Sequence, residues 1–176
     1  MKPQFFRFKV LGVQATAIYP YEEKIRSLLF QFKGCFDYEL KDAFLSYPAP
    51  FLRMRFHGYT VIPAPSSDAH NQTRGFNHVQ AMFASLGLPI LMAFKKNCDT
   101  KQTELDYAQR QEVGKRIFYV GPKSLSGRKL LLVDDVFTTG ATMKACLRLL
   151  QKRHPKKLEI LVMSKTLDPP KKPHRG

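Results

Sequence analysis

The sequence predicts an α/β fold with an open, mainly parallel sheet flanked by helices, and two observations carry this prediction. Short apolar segments of strand length alternate along the chain with segments whose apolar residues recur at helical spacing. One apolar run, residues 130–133 within LLLVDDVFTTGAT, is continuous, as expected for a central parallel strand buried on both faces. Such sheets bind ligands at the carboxyl ends of their strands, and Asp134 and Asp135 stand at such an end.

The first part of the chain is expected to form a hairpin, then helices, then a sheet strand. Residues 5–10 and 13–18 alternate around Gly12 in the manner of two short strands. Apolar residues at helical spacing predict a helix over residues 21–32, with acidic side chains in its first turn. The remaining predicted elements of this part are helical segments at residues 38–45 and 51–56 and a strand at residues 59–62.

The rest of the chain continues the alternation of strands and helices. The predicted elements are a helix that opens at residues 74–77 and runs to residue 85, a strand at 89–94, a loop at 97–103, a helix at 105–113, a strand at 117–120, the core strand from residue 130, a helix at about 141–153 and a strand at 157–164. We expect residues 1–166 to form a single domain. Residues 167–176 are expected to form a basic, flexible tail.

The stretch TTGAT, residues 138–142, is predicted to form the turn that opens the helix after the core strand. Thr138 or Thr139 can cap this helix, and Gly140 lets a ligand approach the backbone closely. Unpaired amides at a helix start attract phosphate, whereas the two preceding carboxylates suit the vicinal hydroxyls of a ribose. The stretch therefore predicts a pocket for a ribose 5-phosphate group, and the alternative is a strand-end turn with an ordinary helix cap.

The charge of the chain indicates a polyanionic partner. Twenty-nine Lys and Arg residues against fourteen acidic residues give a net charge of +15. Nucleic acid is the partner that this excess favours, and the alternative is a solubilising surface. The cations that could follow a DNA backbone recur on the helix after the core strand and just beyond it: Lys144, Arg148, Lys152, Lys156 and Lys157. The alternative for this stripe is a solvated outer helix face.

Cysteine and histidine spacing predicts no metal site. Cys35, Cys98 and Cys146 stand far apart without a C-x-x-C pair, so neither a zinc site nor a disulfide framework is encoded. The histidines lack metal spacing and are expected to be surface or capping residues: His57, His70, His78, His154 and His174. The apolar N-terminal segment is interrupted by charges and is too short for a membrane span. We therefore expect a soluble cytoplasmic protein.

Two levels of resemblance follow from these motifs. Four apolar residues, two acidic residues and TTG-x-T resemble the phosphoribosyl-diphosphate (PRPP) motif of type I phosphoribosyltransferases. The order of further motifs resembles the ComF family of competence-associated proteins and its GntX-like relatives, roughly from Tyr19 to Thr166. In chain order these motifs are Tyr19-Pro20-Tyr21, Phe32-Lys33-Gly34, Pro63 and Pro65, Arg74 to Asn77, then Thr100, Gln102, Leu105 and Arg110, then Phe118 and the PRPP motif.

The resemblance implies a type I phosphoribosyltransferase-like fold and a role for each motif residue. Asp134 and Asp135 would hold the ribose hydroxyls, and Mg²⁺ would ride on the diphosphate of PRPP. The residues that would bind the 5-phosphate or the diphosphate are Thr138, Thr139, Gly140, Ala141, Thr142, Pro65, Ser66 and Arg74. By resemblance the protein would be a DNA-uptake factor of natural transformation that binds single-stranded DNA beside a helicase.

The sequence also departs from the family pattern. Many members carry an N-terminal four-cysteine zinc module, and this chain begins after the place that the module would occupy. Gln109 and Val113 replace a glutamate and a frequent asparagine of the family, which puts a partner surface near residues 100–118 in doubt. No base-binding hood is recognisable. A phosphoribosyltransferase enzyme of nucleotide salvage and a non-catalytic nucleotide-sensing regulator therefore remain as alternative functions.

Overall fold

The computed structural model describes residues 2–34, 44–65, 77–96 and 117–166, and their elements follow the predicted alternation. In chain order the elements are β1 (Phe6–Val10), β2 (Val13–Pro20), α1 (Glu23–Gly34), α2 (Ala49–Arg55), β3 (Tyr59–Pro63), α3 (His78–Ala84), β4 (Phe94–Lys96), β5 (Ile117–Tyr119), β6 (Lys129–Phe137), α4 (Ala141–Gln151) and β7 (Lys157–Lys165). The predicted segments at residues 97–103, 105–113 and 167–176, and most of the one at 38–45, lie outside the described residues.

Five strands form one sheet in the order β1-β2-β7-β6-β3. Strands β2, β7, β6 and β3 are parallel to their neighbours, and β1 pairs antiparallel with β2 as the predicted hairpin. Strand β6 therefore lies inside the sheet, between β7 and β3, as its continuous apolar run predicts. The predicted fold class, an open and mainly parallel sheet flanked by helices, is confirmed.

Each face of the sheet is covered by helices, and β6 divides its side chains between the two faces. Leu131 and Val133 pack in the cluster that contains the apolar side chains of α1, α2 and α3. Leu130 and Leu132 pack on the opposite face, with Met143 and the other buried residues of α4. Because successive strand residues point to opposite faces, the same alternation continues into the two aspartates at the end of β6.

The prediction of a strand over residues 89–94 is wrong in its extent. Ile90 makes a single parallel bridge to Val61 of β3, and the next strand is β4, which pairs antiparallel with β5 in a separate two-stranded sheet. Pro89 accepts a hydrogen bond from the Val61 amide through its carbonyl but has no N–H of its own to donate. Pro63 of β3 also lacks an N–H, so a donor is missing on each side of the bridge and pairing beside β3 is limited to it.

A buried carboxylate lies near the amino ends of the parallel strands. Glu159 of β7 is 3% exposed, and its Oε1 accepts a hydrogen bond from the Tyr59 hydroxyl at 2.6 Å. Arg55 Nη2 lies 2.9 Å from Oε2, and Lys157 Nζ lies 2.8 Å from Oε1. Every carboxylate oxygen of Glu159 thus has a cationic or hydroxyl donor.

None of the helices in the described part of the chain combines the length and the apolar character that crossing a bilayer requires.

Candidate functional site

The carboxyl ends of β3 and β6 bring two of the predicted site segments together. Pro63 is the register partner of Val133, and the Ala64 amide donates to the Val133 carbonyl at 2.8 Å. Half-buried Pro65 therefore leaves the sheet beside the aspartates that follow Val133. Ser66 and Arg74, which were also predicted to bind the diphosphate, lie outside the described residues.

Asp135 is buried and bonded to a histidine of the neighbouring helix. Its Oδ2 lies 2.8 Å from Nε2 of His78, and its Oδ1 accepts a hydrogen bond from the Val136 amide. His78 is the first residue of α3, whose N-cap Asn77 accepts a hydrogen bond from the Gln80 amide at 3.0 Å. The helix cap thus fixes the histidine that holds the carboxylate.

The interpretation of His78 as a surface or capping residue is wrong, because its side chain is buried against Asp135. His57 and His154 are exposed, as expected, and His70 and His174 lie outside the described residues. The signal for His78 was its position directly after the RGFN motif, at the start of a helix that follows a sheet strand. That position faces the carboxyl edge of the sheet.

Asp134 differs from Asp135 in both exposure and surroundings. It is half-buried, its Oδ1 accepts from the Asp135 amide at 2.9 Å, and it lies on the α4 side of the sheet. Burial raises the pKa of the Cys146 thiol on α4, and the charge of Asp134 raises it further, which is consistent with that placement. The two carboxylates therefore leave β6 in different directions, and Asp134 is the more accessible one.

The residue at the N-cap of α4 differs from the predicted one. Gly140, in the left-handed region at φ 69°, is the N-cap, and no side chain caps the helix. The prediction that Thr138 or Thr139 is the cap residue is therefore wrong, although the Thr139 hydroxyl accepts a long hydrogen bond from the Ala141 amide at 3.4 Å. Glycine occupies the N-cap position because it has no Cβ and therefore adopts the left-handed conformation without steric cost.

Three consecutive amides of this turn have no hydrogen-bond acceptor in the part of the chain that the structure describes. Within the described ranges, residues 138–140 have no acceptor on their backbone N–H groups, and Thr138 and Thr139 are exposed. Lys144 adds a positive charge, since its Nζ donates to the Thr139 carbonyl at 3.3 Å. Successive unpaired amides at a helix start, with a cation beside them, form the kind of concavity that binds a phosphate.

Replacing Gly140 with alanine is expected to lower the free energy of unfolding by about 2 kcal/mol, because alanine is strained in the left-handed region and its Cβ would crowd the Phe137 ring. That ring cannot move freely, since it packs against Phe8 with 4.9 Å between centroids. Gly127→Ala is the matched control, with φ 76° and no atom within 4 Å of the added Cβ. Urea unfolding of both variants measures the difference, and equal losses would contradict a role for Phe137.

The cations of the predicted stripe are spread along α4 and the segment that follows it. Helix α4 runs from the carboxyl edge of the sheet, where Lys144 contacts the turn, to the amino edge, where β7 begins. Arg148 and Lys152 are exposed along and after α4. Lys156 and Lys157 lie at the amino edge, and Lys157 pairs with Glu159. The stripe therefore connects the two edges of the sheet.

No three His, Cys, Asp or Glu side chains among the described residues converge in a way that could hold a metal ion. The oxygen donors at the carboxyl edge are the Asp134 and Asp135 carboxylates and the hydroxyls of the turn. Oxygen donors of this kind are the ligands that Mg²⁺ accepts, usually alongside water and the phosphates of a substrate. The site therefore fits a magnesium ion that arrives with a phosphorylated ligand.

Comparison with known proteins shows which family the chain belongs to. The sequence model described as phosphoribosyl transferase domain matches residues 73–175, more than half of the chain. Competence protein ComFC of Streptococcus pneumoniae is 26% identical over 142 residues, which is 80% of this chain and 63% of that protein. Competence protein ComFC of Bacillus subtilis is 27% identical over 146 residues, 82% of this chain and 60% of that protein. The chain thus spans about three-fifths of the length of these curated relatives.

Solved structures with a similar fold include two hypoxanthine phosphoribosyltransferases. The enzyme from Staphylococcus aureus is 16% identical, with a TM-score of 0.47 over 73% of this chain and 64% of that one. The enzyme from Trypanosoma cruzi, in complex with the product IMP, is 15% identical, with a TM-score of 0.46 over 73% of this chain and 67% of that one. From the family match over residues 73–175, the chain belongs to the phosphoribosyl transferase domain family, and its sequence relatives place it with the ComF-type proteins of that family.

Proposed function

We propose that this protein is a ComF-type factor of natural transformation that binds PRPP or a related ribose phosphate and also binds single-stranded DNA. One observation carries the first half of the proposal: two carboxylates lie near the carboxyl end of the central strand β6, two residues before a turn in which the amides of residues 138–140 have no acceptor among the described residues. Carboxylates and unpaired amides are complementary to the two ends of a ribose 5-phosphate, its hydroxyls and its phosphate.

Different residues of this edge would bind different groups of the ligand. Asp134 and Asp135 would accept hydrogen bonds from the ribose 2- and 3-hydroxyls. The turn of residues 138–142 would bind the 5-phosphate, and the loop that leaves β3 at Pro65, with Ser66 and Arg74, would bind the diphosphate. Mg²⁺ bound to the diphosphate would neutralise part of its negative charge. The carbon–oxygen chemistry of PRPP needs positioned charge more than a nucleophile, which suits a site of carboxylates, amides and hydroxyls.

The second half of the proposal rests on charge and on the relatives. The two matched relatives are named competence protein ComFC, and the chain carries a net charge of +15. An excess of this size favours a polyanion, and DNA is the polyanion of natural transformation. We place the protein in the cytoplasm, where it would receive the incoming strand and work beside a helicase.

The replacement Asp134→Asn/Asp135→Asn is expected to weaken PRPP binding at least about tenfold, because a neutral amide oxygen accepts a weaker hydrogen bond from a hydroxyl than a carboxylate does. Isothermal titration with PRPP and Mg²⁺ measures this change. Glu22→Gln/Glu23→Gln is a matched control, since it removes two exposed carboxylates at the start of α1. Equal affinities of the wild type and the aspartate variant, or no PRPP binding by the wild type, would contradict the proposed site.

An authentic phosphoribosyltransferase of nucleotide salvage is the second candidate, and the family match favours it because that family is named for the transfer reaction. In such a reaction, a nucleobase nitrogen bonds to the ribose anomeric carbon as that carbon's bond to the diphosphate breaks, so diphosphate is released. Diphosphate release with a panel of nucleobases distinguishes this candidate from a ligand-sensing pocket. PRPP binding without release would favour the DNA-uptake factor or a non-catalytic regulator.

A further inference from the structure

Two loops meet at the amino edge of the sheet, on the side opposite the candidate ribose-phosphate site. One loop precedes β6, and the other connects α4 to β7. The Leu125 amide donates to the Arg153 carbonyl at 3.1 Å, and the Lys156 amide donates to the Arg128 carbonyl at 2.9 Å. Arg153 Nη1 also donates to the Lys123 carbonyl at 3.2 Å. These bonds hold the two loops in a fixed relation to each other.

The two loops present a set of exposed positive charges, which we name the amino-edge cations: Lys123, Arg128, Lys152 and Lys156. Neither loop contains an acidic residue. None of the four makes an ion pair with any part of the chain that the structure describes. The nearby Glu159 does not neutralise them, because Arg55 and Lys157 already pair with its carboxylate. The surface is therefore strongly positive.

Strand β5, which precedes the first of these two loops, carries two aromatic residues. The Arg153 guanidinium lies 4.5 Å from the centroid of the Tyr119 ring. Burial raises the pKa of Tyr119, while the charges of Arg153 and Arg128 act in the opposite direction, so both cations are close to this ring. Phe118, the preceding residue of β5, is 50% exposed and pairs across the ribbon with exposed Lys95. An exposed aromatic ring with a cation beside it, as Lys95 is here, can stack an unpaired base.

The amino edge is remote from the carboxyl edge. Strand β6 joins them through nine residues, and its length at about 3.3 Å per residue is roughly 26 Å. A nucleotide that contacts Arg128 before β6 cannot also contact Asp134 or the turn after it. A single nucleotide at one edge therefore has no direct contact through which to displace a ligand at the other edge.

We propose that the amino-edge cations form the backbone-binding surface for single-stranded DNA, with Phe118 stacking a base, and that this surface is separate from the ribose-phosphate site. The inference rests on the proposed DNA-binding function and adds its location. Lys144 is outside this surface, since its ammonium group contacts the turn before α4. The protein then has two anion sites that are occupied independently, one for a sugar phosphate and one for a strand.

The test compares two quadruple variants that remove the same amount of charge. One replaces the amino-edge cations with glutamine, and the control replaces exposed cations of β1 and α1: Arg7→Gln, Lys9→Gln, Lys24→Gln and Arg26→Gln. Fluorescence anisotropy with a labelled thymidine oligonucleotide gives the affinity as a function of salt. Each lost phosphate contact lowers the magnitude of the slope of log affinity against log salt concentration by about 0.7, so four lost contacts lower it by about 2.8. This difference in slope corresponds to a roughly 50-fold difference in how far the affinity falls between about 50 and about 200 mM salt.

The expected result is this loss of slope in the amino-edge variant and a much smaller change in the control. Equal weakening of both variants would overturn the location, since it would reflect net charge alone. Saturating PRPP with Mg²⁺ is expected to leave the oligonucleotide bound, and its displacement would overturn the separation of the two sites. Absence of DNA binding by a wild type that still binds PRPP would overturn the inference together with the DNA half of the proposed function, but not the ribose-phosphate half.

Phe118→Ala tests the stacking and the choice of a single strand. We expect at least roughly fivefold weaker binding of the thymidine oligonucleotide, because one base loses its stacking partner, and no change for a duplex. Phe51→Ala is the control, since Phe51 is also 50% exposed but lies on α2. Unchanged binding by Phe118→Ala would overturn the stacking role. A wild-type preference for duplex DNA or for RNA would overturn the assignment of single-stranded DNA.

Discussion

Replacing Glu159 with glutamine is expected to lower the free energy of unfolding at neutral pH by about 3 kcal/mol. The carboxylate is buried and receives hydrogen bonds or ion pairs from Tyr59, Arg55 and Lys157. Breaking a buried ion pair by removing one partner costs about 3–5 kcal/mol. The cost falls at the lower end here because the Arg55 and Lys157 side chains are 39% and 54% exposed, so water can solvate them once the carboxylate is lost.

The same substitution should change how stability depends on pH. Burial by itself would raise the Glu159 pKa, but the donors Lys157 and Tyr59 and the charge of Arg55 outweigh it and hold the pKa below its ordinary value of 4.5. Between the folded and unfolded pKa values the unfolded chain binds more protons, so stability is fully present above the unfolded value and is lost as the pH falls through the folded one.

Urea unfolding at several pH values below neutrality measures this effect. The curve of Glu159→Gln is expected to lie below that of the wild type at neutral pH and to approach it in acid. Glu23→Gln is the control, because Glu23 is exposed on α1 and its loss should change the unfolding free energy by less than about 0.5 kcal/mol. Curves of wild type and Glu159→Gln that stay parallel through the acid range would contradict a stabilising role for the ionised carboxylate.

Local patterns were sufficient to predict the element that positions the candidate site. The apolar run of β6 and the helical spacing after Gly140 depend on neighbouring residues, and both elements begin within one residue of the prediction, although β6 continues past the aspartates to Phe137. Strand β7 was predicted from the same kind of run, but Glu159 inside it was not identified as buried. Its partners Arg55 and Tyr59 are more than 99 residues away in sequence, so no local pattern connects them.

The errors at the site have related physical causes. Thr138 and Thr139 have the chemistry of N-caps, yet the left-handed backbone at Gly140 places the first helical turn one residue later. His78 has the sequence context of an exposed helix start, but tertiary packing places that start against Asp135. Both outcomes depend on how β6 meets its neighbours in the folded sheet, which sequence spacing does not encode.

Because it holds Asp135, His78 is expected to affect both stability and ligand binding. His78→Leu removes one hydrogen bond from a buried carboxylate, so we expect the free energy of unfolding at neutral pH to fall by about 3 kcal/mol. Without this donor, the orientation of the Asp135 carboxylate is also less restricted. We therefore expect PRPP affinity to fall roughly tenfold, the cost of about 1.4 kcal/mol when one oriented hydrogen bond to the ribose is lost.

His78→Gln separates the hydrogen bond from the ring, because glutamine offers an N–H donor at a similar reach. This variant should recover most of the PRPP affinity that His78→Leu loses, while His57→Leu, at an exposed histidine, should change neither property. Calorimetric titration with PRPP and Mg²⁺, alongside urea unfolding, gives both quantities for each variant. If His78→Leu unfolds more easily but binds PRPP as the wild type does, then the histidine serves the fold alone, and Asp134 holds the ribose without help from its neighbour.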